Sequence, residues 1–189
     1  MTFGKNTARQ KVVDAAAKLF YQQGIGNVGL KEIAKVADVA YMSLYNNFGS
    51  KDALVVATLK ERIQEHRGWL DSALAKAKAP KAALLAVFEG LEARLIRNEA
   101  RGCALINATI ELADREHPAQ VLARSYKEEV RERLEGLASA AKLRDPVGLS
   151  HQLMLLLDGG NVTALVRGDP SVARYAHAAA KALIEAASV

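Results

Sequence analysis

Residues 33–48 constrain the fold of this chain more tightly than any other stretch. Ile33, Ala34 and Ala37 recur at helical spacing, which ends one short helix near Val36 or Ala37. Asp38 follows, and aspartate is one of the few non-glycine residues that tolerate a left-handed backbone. Val39, Leu44 and Phe48 then form a second apolar set. Two short helices joined by a turn of three or four residues make a helix-turn-helix, with the apolar sets packed on each other. The outer face of the second helix keeps Tyr41, Met42, Ser43, Tyr45, Asn46 and Asn47. These are hydrogen-bonding and stacking groups rather than charges, the kind that read base edges from the major groove.

The remaining residues add helices. Alanine and leucine dominate, both favour helices, and no alternating Val/Ile/Thr run marks a strand, so the chain reads as all-α. A length of 189 residues suits one domain, or a small module joined to a medium one. The net charge of +5 is unevenly placed. Residues 1–51 hold seven lysines and arginines against three acids, a net +4, while the rest hold nineteen against eighteen. A basic end on a nearly neutral body fits a polyanion partner for that end. With a single cysteine, Cys103, no intrachain disulfide forms. No apolar run reaches the ~18–20 residues that span a bilayer, and the first ten residues lack the apolar centre of a secretory signal. The expected home is a reducing cytoplasm, with no membrane partner.

Read in order, residues 2–6 form a short polar arm. Thr7 is a plausible N-cap for a first helix whose Val12, Val13, Ala16, Leu19 and Phe20 make an amphipathic stripe ended by Gly24. A second helix begins near Leu30. A long fourth helix starts at Ser50 and runs to about Ala79, with Asp52 in its first turn. Proline is favoured at the first position of a helix, where its missing N–H goes unnoticed. Pro80, Pro118, Pro146 and Pro170 therefore predict helices over residues 80–99, 118–142, 146–166 and 170–187, with a further one over 103–113. Asp145 and Asp169 add a carboxylate cap before two of these prolines.

The amino-terminal pattern resembles the signature of the TetR family of one-component repressors. The resemblance rests on Lys31-Glu32-Ile33-Ala34, Val36-Ala37-Asp38-Val39, Ser43-Leu44-Tyr45-Asn46-Asn47-Phe48 and Ser50-Lys51-Asp52-Ala53-Leu54. It runs from about Ala8 to Leu54; beyond that it is architectural only, and the helix count of nine agrees with the family's. The resemblance implies a TetR-like all-helical fold, with a helix-turn-helix DNA-binding domain over residues 1–50 and an effector-binding and dimerisation domain over 51–189. It implies DNA contacts from Gly29, Lys31, Ala40, Tyr41, Ser43, Tyr45, Asn46, Asn47 and Lys51, the family's lysine matching Lys51 touching the phosphate backbone. Three departures stand out. Gly29 replaces the usual threonine, Ala40 a frequent serine, and Tyr41-Met42 a Lys-or-Arg/Gly pair. They leave the fold in place, but no family member's operator sequence carries over.

In such proteins the last two helices pair with their copies in a second subunit as a four-helix bundle. Here Leu149, Leu153, Leu156, Gly160 and Ala164 share one face, and Val172, Ala176, Ala179, Ala180, Leu183 and Ala187 another. The expected dimerisation set is Leu149, Leu153, Leu156, Gly160, Ala176, Ala180 and Leu183; burial of both stripes within one monomer is the alternative. The resemblance also implies an unidentified small-molecule effector in the body. By position, its candidate pocket residues are Trp69, Phe88, Cys103, Asn107, Glu111, Tyr126 and Leu155, with Ile106 and Asp158 nearby. Cys103, Asn107 and Glu111 fall at i, i+4 and i+8 on one face. They make either a polar spot in an apolar cavity or a simple cap beside a packed thiol.

Other chemistry has little support. His66, His117, His151 and His177 are scattered without ligand spacing, so no metal or cofactor is expected. There is no Gly-rich phosphate loop, nucleophile elbow or His-Glu-x-x-His. The chain reads as a homodimeric DNA-binding transcriptional regulator, a repressor of a palindromic operator released by a small molecule, and not an enzyme. The alternative is a helical small-molecule-binding protein without sequence-specific DNA binding.

Overall fold

A computed structural model describes residues 7–188; the polar arm at residues 2–6 lies outside them. Among the described residues there are nine α-helices and no strand. They are α1 (Ala8–Gln23), α2 (Leu30–Val36), α3 (Tyr41–Phe48), α4 (Lys51–Ala75), α5 (Pro80–Arg97), α6 (Ala104–Leu112), α7 (Pro118–Ala140), α8 (Pro146–Arg167) and α9 (Ala173–Ala186).

The helix boundaries follow local chemistry. Thr7 caps α1, its hydroxyl accepting from the Gln10 amide at 3.2 Å, and Gly24 ends that helix at φ +89°. Ser50 caps α4 through the Ala53 amide at 3.1 Å. The fourth helix stops at Ala75, short of the expected 79. Pro80 disfavours helical backbone in the residue before it, and Ala79 is extended at φ −149°, ψ 151°. Pro170 opens a separate 3-10 turn (Pro170–Val172) rather than α9 itself. The Asp169 carboxylate accepts from the Ser171 amide at 2.8 Å and tightens the chain there.

The chain forms two compact units that share α4 and α7. The first comprises residues up to Gln64 together with Ala104–Ala123; the second comprises Glu65–Cys103 and the residues from Arg124 onward. Packing rather than chain order draws these units. In the first unit α1, α2 and α3 pack mutually around Val12, Val13, Ala16, Leu19, Ile33 and Leu44. In the second, α5, α8 and α9 pack around Leu84, Leu91, Leu95, Leu153, Ala180 and Ile184.

Within the subunit this packing already engages most of the expected dimerisation set. Leu149, Leu153, Gly160, Ala176 and Ala180 are buried inside the subunit, and Leu156 and Leu183 are half-buried. A Cβ at Gly160 would stand 3.1 Å from Leu91 Cδ2 and 3.5 Å from the Ala176 Cβ, so α8 lies close to both neighbours through this residue. The opposite face of α8 stays in solvent, with Leu155 74% exposed and Gly159, Val162 and Val166 at helical spacing beside it. On α9 Tyr175, Ala178 and Ala182 are exposed at helical spacing, beside the exposed charges of Arg174, Lys181 and Glu185. Each helix therefore has two apolar faces, and only one is used internally.

Gly160→Val is expected to overpack this contact and cost about 1–3 kcal/mol, read from urea unfolding.

Candidate functional site

The α2–α3 turn sets the geometry of the head. Asp38 takes φ +53°, the left-handed conformation expected of it, and the Val39 amide returns to the Ala34 carbonyl at 3.0 Å. The turn directs Leu44 into the core at 1% exposure. Leu44 is the one buried side chain of α3, so its remaining faces look outward. Tyr41, Met42, Tyr45, Asn46 and Asn47 are exposed and Ser43 is half-buried. Lys51 is half-buried at the start of α4, and Lys31 is exposed on α2.

Gly29 and Ala40 are the N-caps of α2 and α3, and neither offers a side-chain hydrogen bond. No cap side chain therefore occupies a first-turn amide of either helix, although the Ser43 amide turns back to the Ala40 carbonyl at 2.9 Å. Asn47 Nδ2 donates to the Ser43 carbonyl at 2.7 Å, so its amide group is engaged by its own helix. Arg9 places its guanidinium 5.2 Å from the Phe48 ring, anchoring the end of α3 against α1. The result is a short rigid helix presenting two phenols, a hydroxyl and an amide, with lysines nearby.

The expected effector-pocket residues divide between the units. Asn107 and Glu111 belong to the first, where they line a cavity of about 30 Å³ with Phe20, Tyr21, Ile25 and Arg62. That space suits water rather than an organic ligand. Glu111 Oε2 accepts from the Gly26 amide at 3.2 Å, so its carboxylate caps the α1–α2 turn. Cys103 precedes α6 instead of sharing its face, because Gly102 at φ +74° breaks the helical spacing. Leu155 lies on the exposed face of α8.

Trp69, Phe88 and Tyr126 lie in the second unit. Tyr126 is buried, and its hydroxyl is 2.8 Å from His66 Nδ1. The His66 ring lies 5.3 Å from Trp69, and Arg94 sits 5.0 Å over the indole face. Arg94 Nη2 also donates to Asn161 Oδ1 at 3.3 Å. Arg67 pairs with Glu129, Lys127 with Asp158 and Arg133 with Asp71.

Burial first, then the charges of Arg94 and Lys127, lower the His66 pKa from 6.5 to about 3. Burial, followed by Glu129, raises the Tyr126 phenol well above its ordinary value. His66 and Arg94 were not among the expected pocket residues. His66 lies three residues before Trp69, and Arg94 interrupts the Leu84, Val87, Leu91, Leu95 stripe of α5. A cation beside an apolar stripe was the available signal.

The family model for bacterial regulatory proteins of the tetR family matches residues 12–58. The HTH-type transcriptional regulator YjdC of Escherichia coli is 26% identical over 177 residues, 93% of each chain. A TetR-family transcriptional regulator from Streptomyces coelicolor superposes with a TM-score of 0.90 at 25% identity, covering 96% of both chains. A Streptomyces avermitilis protein assigned as a TetR transcriptional regulator superposes at 0.84 with 30% identity, over 96% of this chain and 98% of that one. The chain belongs to the TetR family. It is a DNA-binding transcriptional regulator, and α2 with α3 forms its helix-turn-helix.

The regulator holds His66 neutral, whereas in its unfolded chain the imidazole titrates near 6.5. The unfolded state therefore takes up a proton first, and His66 favours folding above that pH. Its contribution is lost as pH falls from about 6.5 towards about 3. Thermal midpoints should accordingly decline more steeply over that range for the wild-type protein than for His66→Phe.

Proposed function

We propose that the regulator acts as a homodimeric repressor whose two α3 helices read an inverted-repeat operator, and that a small molecule held in the second unit releases it. The observation that carries this reading is the outward row of Tyr41, Ser43, Tyr45 and Asn46 on a helix fixed by Leu44. Tyr41 and Tyr45 stack on sugars or donate to phosphates. Ser43 and Asn46 reach base edges, and an Asn side chain pairs bidentately with adenine. Lys31, Lys51 and the uncapped amides after Gly29 and Ala40 supply phosphate contacts that set position without reading sequence. Asn47, bonded to its own helix, serves as a spacer at the backbone.

Dimerisation supports the same reading. The exposed α8 row of Leu155, Gly159, Val162 and Val166 and the α9 row of Tyr175, Ala178 and Ala182 are the apolar surface a second copy would cover. A second apolar stripe on a helix favours burial against another surface. Small residues in both rows allow close helix approach. A two-fold dimer then presents its α3 helices to successive major-groove faces, about 34 Å apart or a multiple of that. A ligand that favours a different separation of the heads shifts the population away from the bound form.

Two expected outcomes test this. Tyr45→Ala combined with Lys51→Ala should abolish binding to a cognate duplex in anisotropy titrations while leaving helix content and dimer mass unchanged; retained affinity would remove α3 from the reading. Leu155→Glu with Val162→Glu should halve the mass by light scattering and weaken operator binding at the same protein concentration. A dimer that persists would place the interface elsewhere.

A further inference from the structure

We propose that the second unit contains an anion-binding site, and that the effector is a small carboxylic acid with an apolar body whose carboxylate is held by Arg94 and the free ring nitrogen of His66. This rests on the effector-released reading above and names the chemical class of that effector.

The argument starts with an orphaned atom. His66 Nε2 is buried and has no hydrogen-bond partner. Its other nitrogen is 2.8 Å from the Tyr126 hydroxyl. The ring is neutral and the phenol stays protonated, so one shared proton decides the pattern. If Nδ1 donated, the phenol proton and the Nε2 lone pair would both be unsatisfied. If the phenol donates to Nδ1, only the Nε2–H is left over, so this tautomer wastes less. A buried N–H without an acceptor costs roughly 1–3 kcal/mol. Such a group in a native fold calls for an acceptor that arrives from outside.

The surroundings say which acceptor fits. The positive field of Arg94 and Lys127 reaches this ring, since both suppress its protonation. Lys127 is engaged by Asp158. Arg94 lies over the Trp69 indole, 5.0 Å from its centroid, and donates to the Asn161 amide oxygen. A guanidinium carries five N–H donors in a planar fork, and the Arg94 Nε–H is a second buried donor here without a hydrogen-bond partner. Asn161 is itself fixed, its Nδ2 donating to the Leu157 carbonyl at 2.7 Å. Positive charge and a donor thus lie beside the Trp69 and Tyr126 rings, with Leu91 one turn before Arg94 on α5. One cation and one neutral donor suit a monoanion better than a phosphate dianion. The apolar neighbours suit a hydrocarbon body attached to it.

The protein contains one tryptophan, Trp69, within this cluster, so its emission reports on the site directly. Benzoate and hexanoate are titrated into the full-length dimer at neutral pH and fixed ionic strength, against benzamide and hexanamide. The expected result is a saturable change in Trp69 emission with at least one acid, with Kd about millimolar or tighter, and none with its amide. Arg94→Gln and His66→Phe, each checked for helix content, should weaken that acid at least about tenfold. No saturable response to either acid, an equal response to the amide, or unchanged affinity in both variants would overturn the site; the acid–amide comparison needs no variant to fold. Operator-duplex anisotropy with the same acids separates the two claims. An acid that binds at Trp69 without releasing the duplex refutes its role as effector and leaves the anion site standing. Release that persists in Arg94→Gln and His66→Phe refutes the site and leaves effector control standing.

Discussion

The enclosure of Leu44 is the contact on which the functional surface depends. An eight-residue helix is marginal in water, because nucleation costs more than so few backbone bonds return. α3 exists because α1 and α2 bury one of its side chains and Asp38 aims it there. Burial of one residue at one phase of a 3.6-residue period then determines which groups face out. Tyr41, Tyr45 and Asn46 are outward as a consequence of where Leu44 points, so the outer face of the helix-turn-helix follows from the core of the head.

The body solves a different packing problem. α8 and α9 carry apolar groups around most of their circumference, and the subunit uses only one side. Gly160 lets α8 approach Leu91 and Ala176 closely, so the small residues serve internal contact. The larger groups Leu155, Val162, Val166 and Tyr175 stay exposed on the subunit. Periodicity alone could not separate these faces. On a helix with two apolar stripes, 3.6-residue spacing marks both and gives no phase, so Leu149, Leu153, Gly160, Ala176 and Ala180 looked as suitable for a partner as the row that is exposed. The amino-terminal head was legible for the opposite reason: α1 and α3 each have one apolar face, and caps such as Thr7, Gly24 and Asp38 are local chemistry.

The interior of the second unit was the least legible. Trp69 and Tyr126 were expected by position, but their meaning depends on His66 and Arg94, which meet them only through tertiary packing of α4, α5 and α7. Spacing within one helix cannot report a contact made between three. Glu111 shows the converse. Its i, i+4 relation to Asn107 suggested a ligand-facing pair, yet its carboxylate is spent on the Gly26 amide. A polar side chain's role is set by the orphan backbone group it reaches, and that group lies 85 positions away in the chain.

The central claim is that a dimer of this chain reads DNA through α3. Selection from a pool of random duplexes with the purified protein, at two salt concentrations, tests it most directly. The account predicts enrichment of an inverted repeat whose half-site centres are about one helical turn or a multiple apart, with affinity falling steeply with salt at a log–log slope near −0.9 per phosphate contacted. A folded, dimeric protein that enriches no sequence, or only a single unrepeated element, would contradict it.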